Sequence, residues 1–130
     1  MSKGLESFIA DLIGVPWKDR GRTLSGFDCW GVVYHTYKYF FNTELERYDE
    51  YSLSEQDKAI QIIMETAKTW KEVPLGNEHS GDVVLFHPCH IGLVVRKGYM
   101  VHCLENLGTV IQRYTVNPWK DIIEGFYRYE

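Results

Sequence analysis

Apolar positions change their period once along this chain, near Asp82. Before that point they recur at helical spacing. Leu5, Phe8, Ile9, Leu12 and Ile13 form one face and predict a short helix over 3–13, stopped by Gly14 and Pro16. Trp30, Val33, Tyr34, Tyr37 and Phe41 predict a second helix over about 28–41, with Asp28 as its N-cap and Asn42 and Thr43 ending it. Ala59, Ile60, Ile63, Met64 and Ala67 predict a third, entered near Ser54 and Asp57 and running to about Thr69. Residues 44–53 have no period and read as a surface connection, and residues 70–81 as an exit loop. After Asp82 the apolar residues come in short runs: 83–86, 91–95, 99–104, 110–114 and 122–129, punctuated by Gly92, Gly98 and Gly108. Helices first and antiparallel strands second predict one α+β domain, residues 1–130, with N-terminal helices packed on a C-terminal antiparallel sheet.

Composition narrows the function classes. Aromatic residues make up 15% of the chain, suiting a well-filled core, a peptide- or sugar-binding surface or a partner interface. The net charge of -4, without a basic block, argues against nucleic-acid binding. Three cysteines, Cys29, Cys89 and Cys103, set no disulfide framework. No run approaches the roughly 20 apolar residues of a membrane span. The N-terminal residues lack the apolar run of a secretory signal, so synthesis in a cytosol is expected.

The candidate chemistry lies where the second helix begins. In Ser25-Gly26-Phe27-Asp28-Cys29-Trp30-Gly31 a cysteine stands in the first turn. Free amides and the macrodipole there favour a thiolate, so a lowered thiol pKa is expected. Packing is the plainer reading of a lone cysteine. Among five histidines, His35 and His79 read as structural or solvated, while His87, His90 and His102 lie in or beside strands. The hairpin loop between 91–95 and 99–104 decides whether His90 and His102 can cooperate. A two-residue loop puts them on opposite sheet faces. A three-residue loop Arg96-Lys97-Gly98, with Gly98 in a bulge, sets His102 across from Gly92 and His90 diagonal to it on the same face. Gly92 would then leave room for the imidazole. Cys29 as nucleophile, His90 as base and acid, and His102 as its orienting group match the arrangement of cysteine hydrolases, with the Cys29 amide as an oxyanion donor. Zinc ligation by one residue each from Cys89/His90 and His102/Cys103 is the other chemistry these residue types allow, though no Cys-x-x-Cys spacing supports it.

These motifs, in this order, resemble the NlpC-type peptidoglycan cysteine peptidases, a papain-like family, and more closely the branch carried by tailed bacteriophages. The residues are Trp17 in a loop, Asp28-Cys29-Trp30-Gly31, Gly81-Asp82 at a strand start, His90-Ile91-Gly92, and His102 twelve positions on. The resemblance implies a papain-like fold and catalytic roles for Cys29, His90 and His102. It places Trp17, Asp28 and Trp30 around the oxyanion hole and substrate groove. Tyrosine is usual at the aromatic position; Trp17 donates only through its indole N–H. Serine is common after the cysteine, where this chain has Trp30. The resemblance implies no metal or cofactor. It implies hydrolysis of a peptidoglycan stem peptide, between D-γ-glutamate and the diamino acid, in a virion tail alongside tail-tip or hub proteins. Two rivals are a structural tail-tip subunit on the same fold and a cytosolic amidase or acyltransferase.

Overall fold

The computed structural model describes residues 4–50 and 56–130, with the side chains of 56 and 57 left aside. The expected helix entry at Ser54 and the Asp57 side chain lies outside the described residues. Helix α1 (Leu5–Ala10) buries Leu5 and Ile9. It is shorter than the 3–13 pattern predicts. Its last turns tighten into Leu12→Ile9 and Ile13→Ala10 backbone bonds, and the Gly14 amide donates instead to the Thr109 carbonyl. Strands β1 (Arg22–Thr23) and β2 (Gly26–Phe27) form a small hairpin inside what reads as a loop.

Helix α2 (Cys29–Tyr39) is the centre of the molecule. Every residue from Cys29 to Tyr37 is buried, polar His35 and Thr36 included. A helix buried on all sides is a core helix. The apolar periodicity shows one face; sheet, α1 and the β1–β2 hairpin cover the rest. Phe41, expected on the buried face, lies beyond the Phe40 cap and is 36% exposed. Gly31 is where α2 meets the preceding loop. A Cβ on it would stand 2.1 Å from the Gly21 carbonyl oxygen, which is backbone and has no rotamer to yield. Gly31→Ala is expected to cost about 3 kcal/mol, the upper end for overpacking, seen as a lowered urea midpoint with unchanged m.

Residues 44–50 are more than a surface connection. Leu45 is buried, and the Glu46 carbonyl accepts from Trp30 Nε1 at 2.8 Å, so the segment lies against α2. Helix α3 (Gln56–Ala67) buries Ala59, Ile60, Ile63, Met64 and Ala67, the face its pattern predicts.

Six strands form one antiparallel sheet in the order β3-β8-β4-β5-β6-β7: β3 (Lys71–Val73), β4 (Val83–Phe86), β5 (His90–Arg96), β6 (Tyr99–Leu104), β7 (Gly108–Arg113) and β8 (Ile123–Arg128). A 3-10 turn, Trp119–Ile122, leads into β8. Strand β3 is absent from the apolar pattern because it is a three-residue edge with only Val73 buried. The pleat divides the sheet into two faces. Val83, Leu85, Ile91, Leu93, Val95, Val101 and Cys103 pack under the helices. Val84, Phe86, Val94, Met100 and Phe126 form a second apolar layer with Trp119.

The β5–β6 hairpin meets the condition set for it by a different route. Leu93 pairs with Val101, Val94 with Met100, and Arg96 with Tyr99, so the turn has two residues, Lys97-Gly98. A bulge at Val95 restores the parity, and Gly98 takes φ +96°. One step further along the ladder His102 stands opposite Gly92, as expected. The space at Gly92 serves other residues: a Cβ there would meet Met100 Sδ at 2.8 Å and Val84 Cγ1 at 3.3 Å.

Candidate active site

The Asp28 carboxylate builds the start of α2. Its Oδ1 accepts from the Gly31 amide at 2.8 Å and from Arg22 Nη1 at 2.7 Å, and Oδ2 accepts from the Arg20 amide. Cys29 follows, 7% exposed, beside a cleft of about 20 Å³ lined by Arg22, Asp28, Trp30, Tyr48 and Ile60 among others, room for about one water. The thiol pKa runs against the sequence expectation. Burial pushes it well above the ordinary range, and the Asp28 charge adds to that; Arg22 and the Ile91 amide pull weakly the other way. The helix start fails to stabilise a thiolate because its capping carboxylate already holds the Gly31 amide, and because desolvation outweighs a terminal dipole.

Strands β5, β6 and β7 carry the second part. His90 Nε2 lies 2.8 Å from His102 Nδ1, and His102 Nε2 lies 2.8 Å from Gln112 Oε1. Each link joins diagonal neighbours on adjacent strands of one sheet face. His102 is fully buried. The Trp119 ring stacks on His90 at 5.5 Å between centroids and meets the His102 ring edge-on at 4.9 Å. Burial, then the neighbouring His102, pushes the His90 pKa down to about 3. Burial pushes His102 down to about 4, against the hydrogen bond to Gln112. Both rings therefore rest neutral at pH 7.

Cys29 is placed at the Ile91 amide, one residue from His90, so the helix start faces the expected strand. Among the described residues no hydrogen bond joins the Cys29 sulfur to His90; apo sites commonly tighten such contacts only with substrate bound. Asp28 and Trp30 line the cleft beside Cys29. Trp30 is 3% exposed; its indole donates to the Glu46 carbonyl and meets the Tyr48 ring edge-on. Trp17 is half-buried, its backbone bridged to Phe27, and it does not line that cleft. His87 and His79 are exposed; His35 is buried among Phe8, Phe27 and Tyr39. Cys103 lies on the helix side of β6, its Sγ donating to the Phe27 carbonyl, while His102 is on the other side. Among the described residues, no three His, Cys, Asp or Glu side chains are placed to hold a metal ion, and no helix is long and apolar enough to cross a membrane.

Sequence reasoning missed Arg22, Trp119 and Gln112. Only Gln112 left a signal: a polar residue two positions from Val110 in a strand adjacent to the one carrying His102.

The two neutral histidines make the fold acid-sensitive. The unfolded chain takes up their protons near 6.5, whereas the folded chain resists to about 4 and about 3. Between these values the unfolded state binds more protons, so stability is fully present above 6.5 and falls as pH drops toward 3. Urea midpoints measured from pH 7 to 4 are expected to decline, and less steeply in His102→Asn.

The NlpC/P60 family model matches residues 14–128. The murein DD-endopeptidase MepS/murein LD-carboxypeptidase of Escherichia coli (strain K12) is 30% identical over 115 residues, covering 85% of this chain and 54% of that protein. Its counterpart in Escherichia coli O157:H7 matches equally. The chain spans about half the length of the curated relatives it matches. Among solved structures, an NlpC/P60 family protein from Bacillus cereus ATCC 10987 superposes with TM-score 0.73 at 20% identity, over 96% of this chain and 39% of that one. The NlpC/p60 domain of the peptidoglycan hydrolase SagA gives 0.68 at 12% identity, over 95% of both chains. At these identities the structural likeness is one of fold.

Proposed function

The chain belongs to the NlpC/P60 family, and on that premise we propose that it hydrolyses an amide bond in peptidoglycan stem peptides, with Cys29 as nucleophile and His90 as base and acid. The observation that carries this reading is the His90–His102–Gln112 chain of hydrogen bonds, which begins one residue from the Ile91 amide that reaches Cys29. Because thiol and imidazole both rest neutral, the reaction starts with a proton transfer. The Cys29 proton passes to His90 as Sγ bonds to the carbonyl carbon. The Cys29 amide, at the head of α2, donates to the developing oxyanion. His90 then protonates the leaving amine as the C–N bond breaks, and water hydrolyses the thioester with His90 as base. No cofactor takes part.

The bond we assign is that between D-γ-glutamate and the diamino acid. The Escherichia coli relatives are named for DD-endopeptidase and LD-carboxypeptidase activities, and product masses separate the three. Defined peptidoglycan fragments incubated with the protein are expected to yield soluble products carrying a new amino terminus on the diamino acid. Absence of any cleavage overturns the reading.

The setting we propose is a bacteriophage tail, where a virion delivers the domain to the wall and tail-tip or hub proteins hold it. Its support is the resemblance of the Asp28-Cys29-Trp30-Gly31 motif and the motifs that follow it. Purified virions digested and sequenced by mass spectrometry test it. A second reading, a structural tail-tip subunit, is favoured by the burial of Cys29. Turnover on sacculi decides between the two.

A further inference from the structure

We infer that Gln112 is a positioning residue that fixes which nitrogen of His90 is free to take a proton. The inference rests on the catalytic role proposed for His90. A side-chain carbonyl oxygen only accepts hydrogen bonds. Gln112 Oε1 at 2.8 Å therefore requires the proton of His102 on Nε2. His102 is fully buried, which favours the uncharged ring, so its Nδ1 carries a lone pair. The 2.8 Å contact to His90 Nε2 then requires a proton on that nitrogen. A neutral His90 protonated at Nε2 has a bare Nδ1, the only ring nitrogen left to serve as base. One amide, two strands from His90, thus selects the working tautomer. Trp119 packs against both rings.

Without Gln112 the His102 Nε2–H is buried and unpaired. The ring relieves this by moving its proton to Nδ1 and donating to His90 Nε2. His90 then carries its proton on Nδ1 and the base is blocked. A wrong tautomer in a triad histidine is known to lower turnover steeply while geometry survives.

The test is nitrogen-15 NMR of the histidine rings at pH 7 in the whole chain, alongside steady-state kinetics. The wild type is expected to show proton-bearing Nε2 and bare Nδ1 on both His90 and His102. Gln112→Met, similar in length but without an acceptor, is expected to convert His90 to the Nδ1–H form and to lower kcat about 10- to 100-fold with KM little changed. Gln112→Glu restores an acceptor and is expected to return the wild-type tautomers. An unchanged tautomer pattern in Gln112→Met overturns the inference, as does a wild-type His90 protonated at Nδ1. Absence of hydrolysis by the wild type overturns the proposed function instead, and the ring spectra are read independently of it.

Discussion

Cys29→Ala is expected to lower hydrolysis of peptidoglycan fragments by at least about 10⁴-fold, roughly 5.5 kcal/mol of transition-state stabilisation. The size follows from the residue's position in the proposed sequence of steps. Without Sγ there is no thioester, and the neutral His90 has no nucleophile to activate. What survives is binding and whatever the oxyanion donors supply to a water attack. The fold should survive as well. Alanine is a good helix former, the Asp28 cap is untouched, and the loss is one sulfur from a site 7% exposed. A thermal midpoint within a few degrees of wild type, measured beside product release, separates lost chemistry from lost structure. Equal release by both proteins overturns the assignment of Cys29.

The raised thiol pKa sharpens what other assays mean. An ion-paired cysteine would alkylate rapidly near pH 6. Here burial and the Asp28 charge hold the proton on sulfur. Slow alkylation and real turnover are expected together, because the proton leaves only when a carbonyl is in place. Thiol reactivity therefore does not separate enzyme from structural subunit, whereas turnover does.

Much of the fold was legible because burial is periodic. The inward residues of α3 and the runs of β4, β5 and β6 declare themselves by apolar spacing alone. What stayed hidden is not periodic. Strand β3 buries one residue. Segment 44–50 is held by a Trp30 hydrogen bond to a main-chain carbonyl, to which side-chain type is blind. The His90–His102 pairing was legible as a condition, since an alternation of two fixes faces once parity is known. A bulge was one of the two ways to reach that parity; its place at Val95 was not legible. The direction of the Cys29 shift was misread because a helix start is a local feature, whereas desolvation depends on everything folded over it.

Arg22→Ala is expected to destabilise the protein by about 3–5 kcal/mol, the cost of leaving a buried charge without its partner. Arg22 is 5% exposed, and its guanidinium reaches four acceptors: Asp28 Oδ1 at 2.7 Å and the carbonyls of Gly21, Arg47 and Tyr48. It thereby ties the loop before Cys29, the helix cap and segment 44–50 to one another. Lysine cannot replace it, because a single ammonium lacks the planar fork that serves these acceptors together. Asp28→Asn is the informative companion. Asparagine still caps α2 but leaves the guanidinium unpaired. If the ion pair is what matters, the two losses fall well short of adding in Arg22→Ala/Asp28→Asn, since the second substitution removes the charge the first left stranded. Additive losses would mean that Arg22 acts through its three carbonyl contacts. Urea denaturation of the four proteins measures the coupling, and a loss under about 1 kcal/mol in Arg22→Ala alone rejects the buried-charge argument. The same variant acts on the candidate nucleophile. Removing Arg22 takes away a positive charge that lowers the Cys29 pKa and leaves Asp28, which raises it. Any Arg22→Ala protein that remains folded should therefore hold its thiol proton more tightly and turn over more slowly than the wild type.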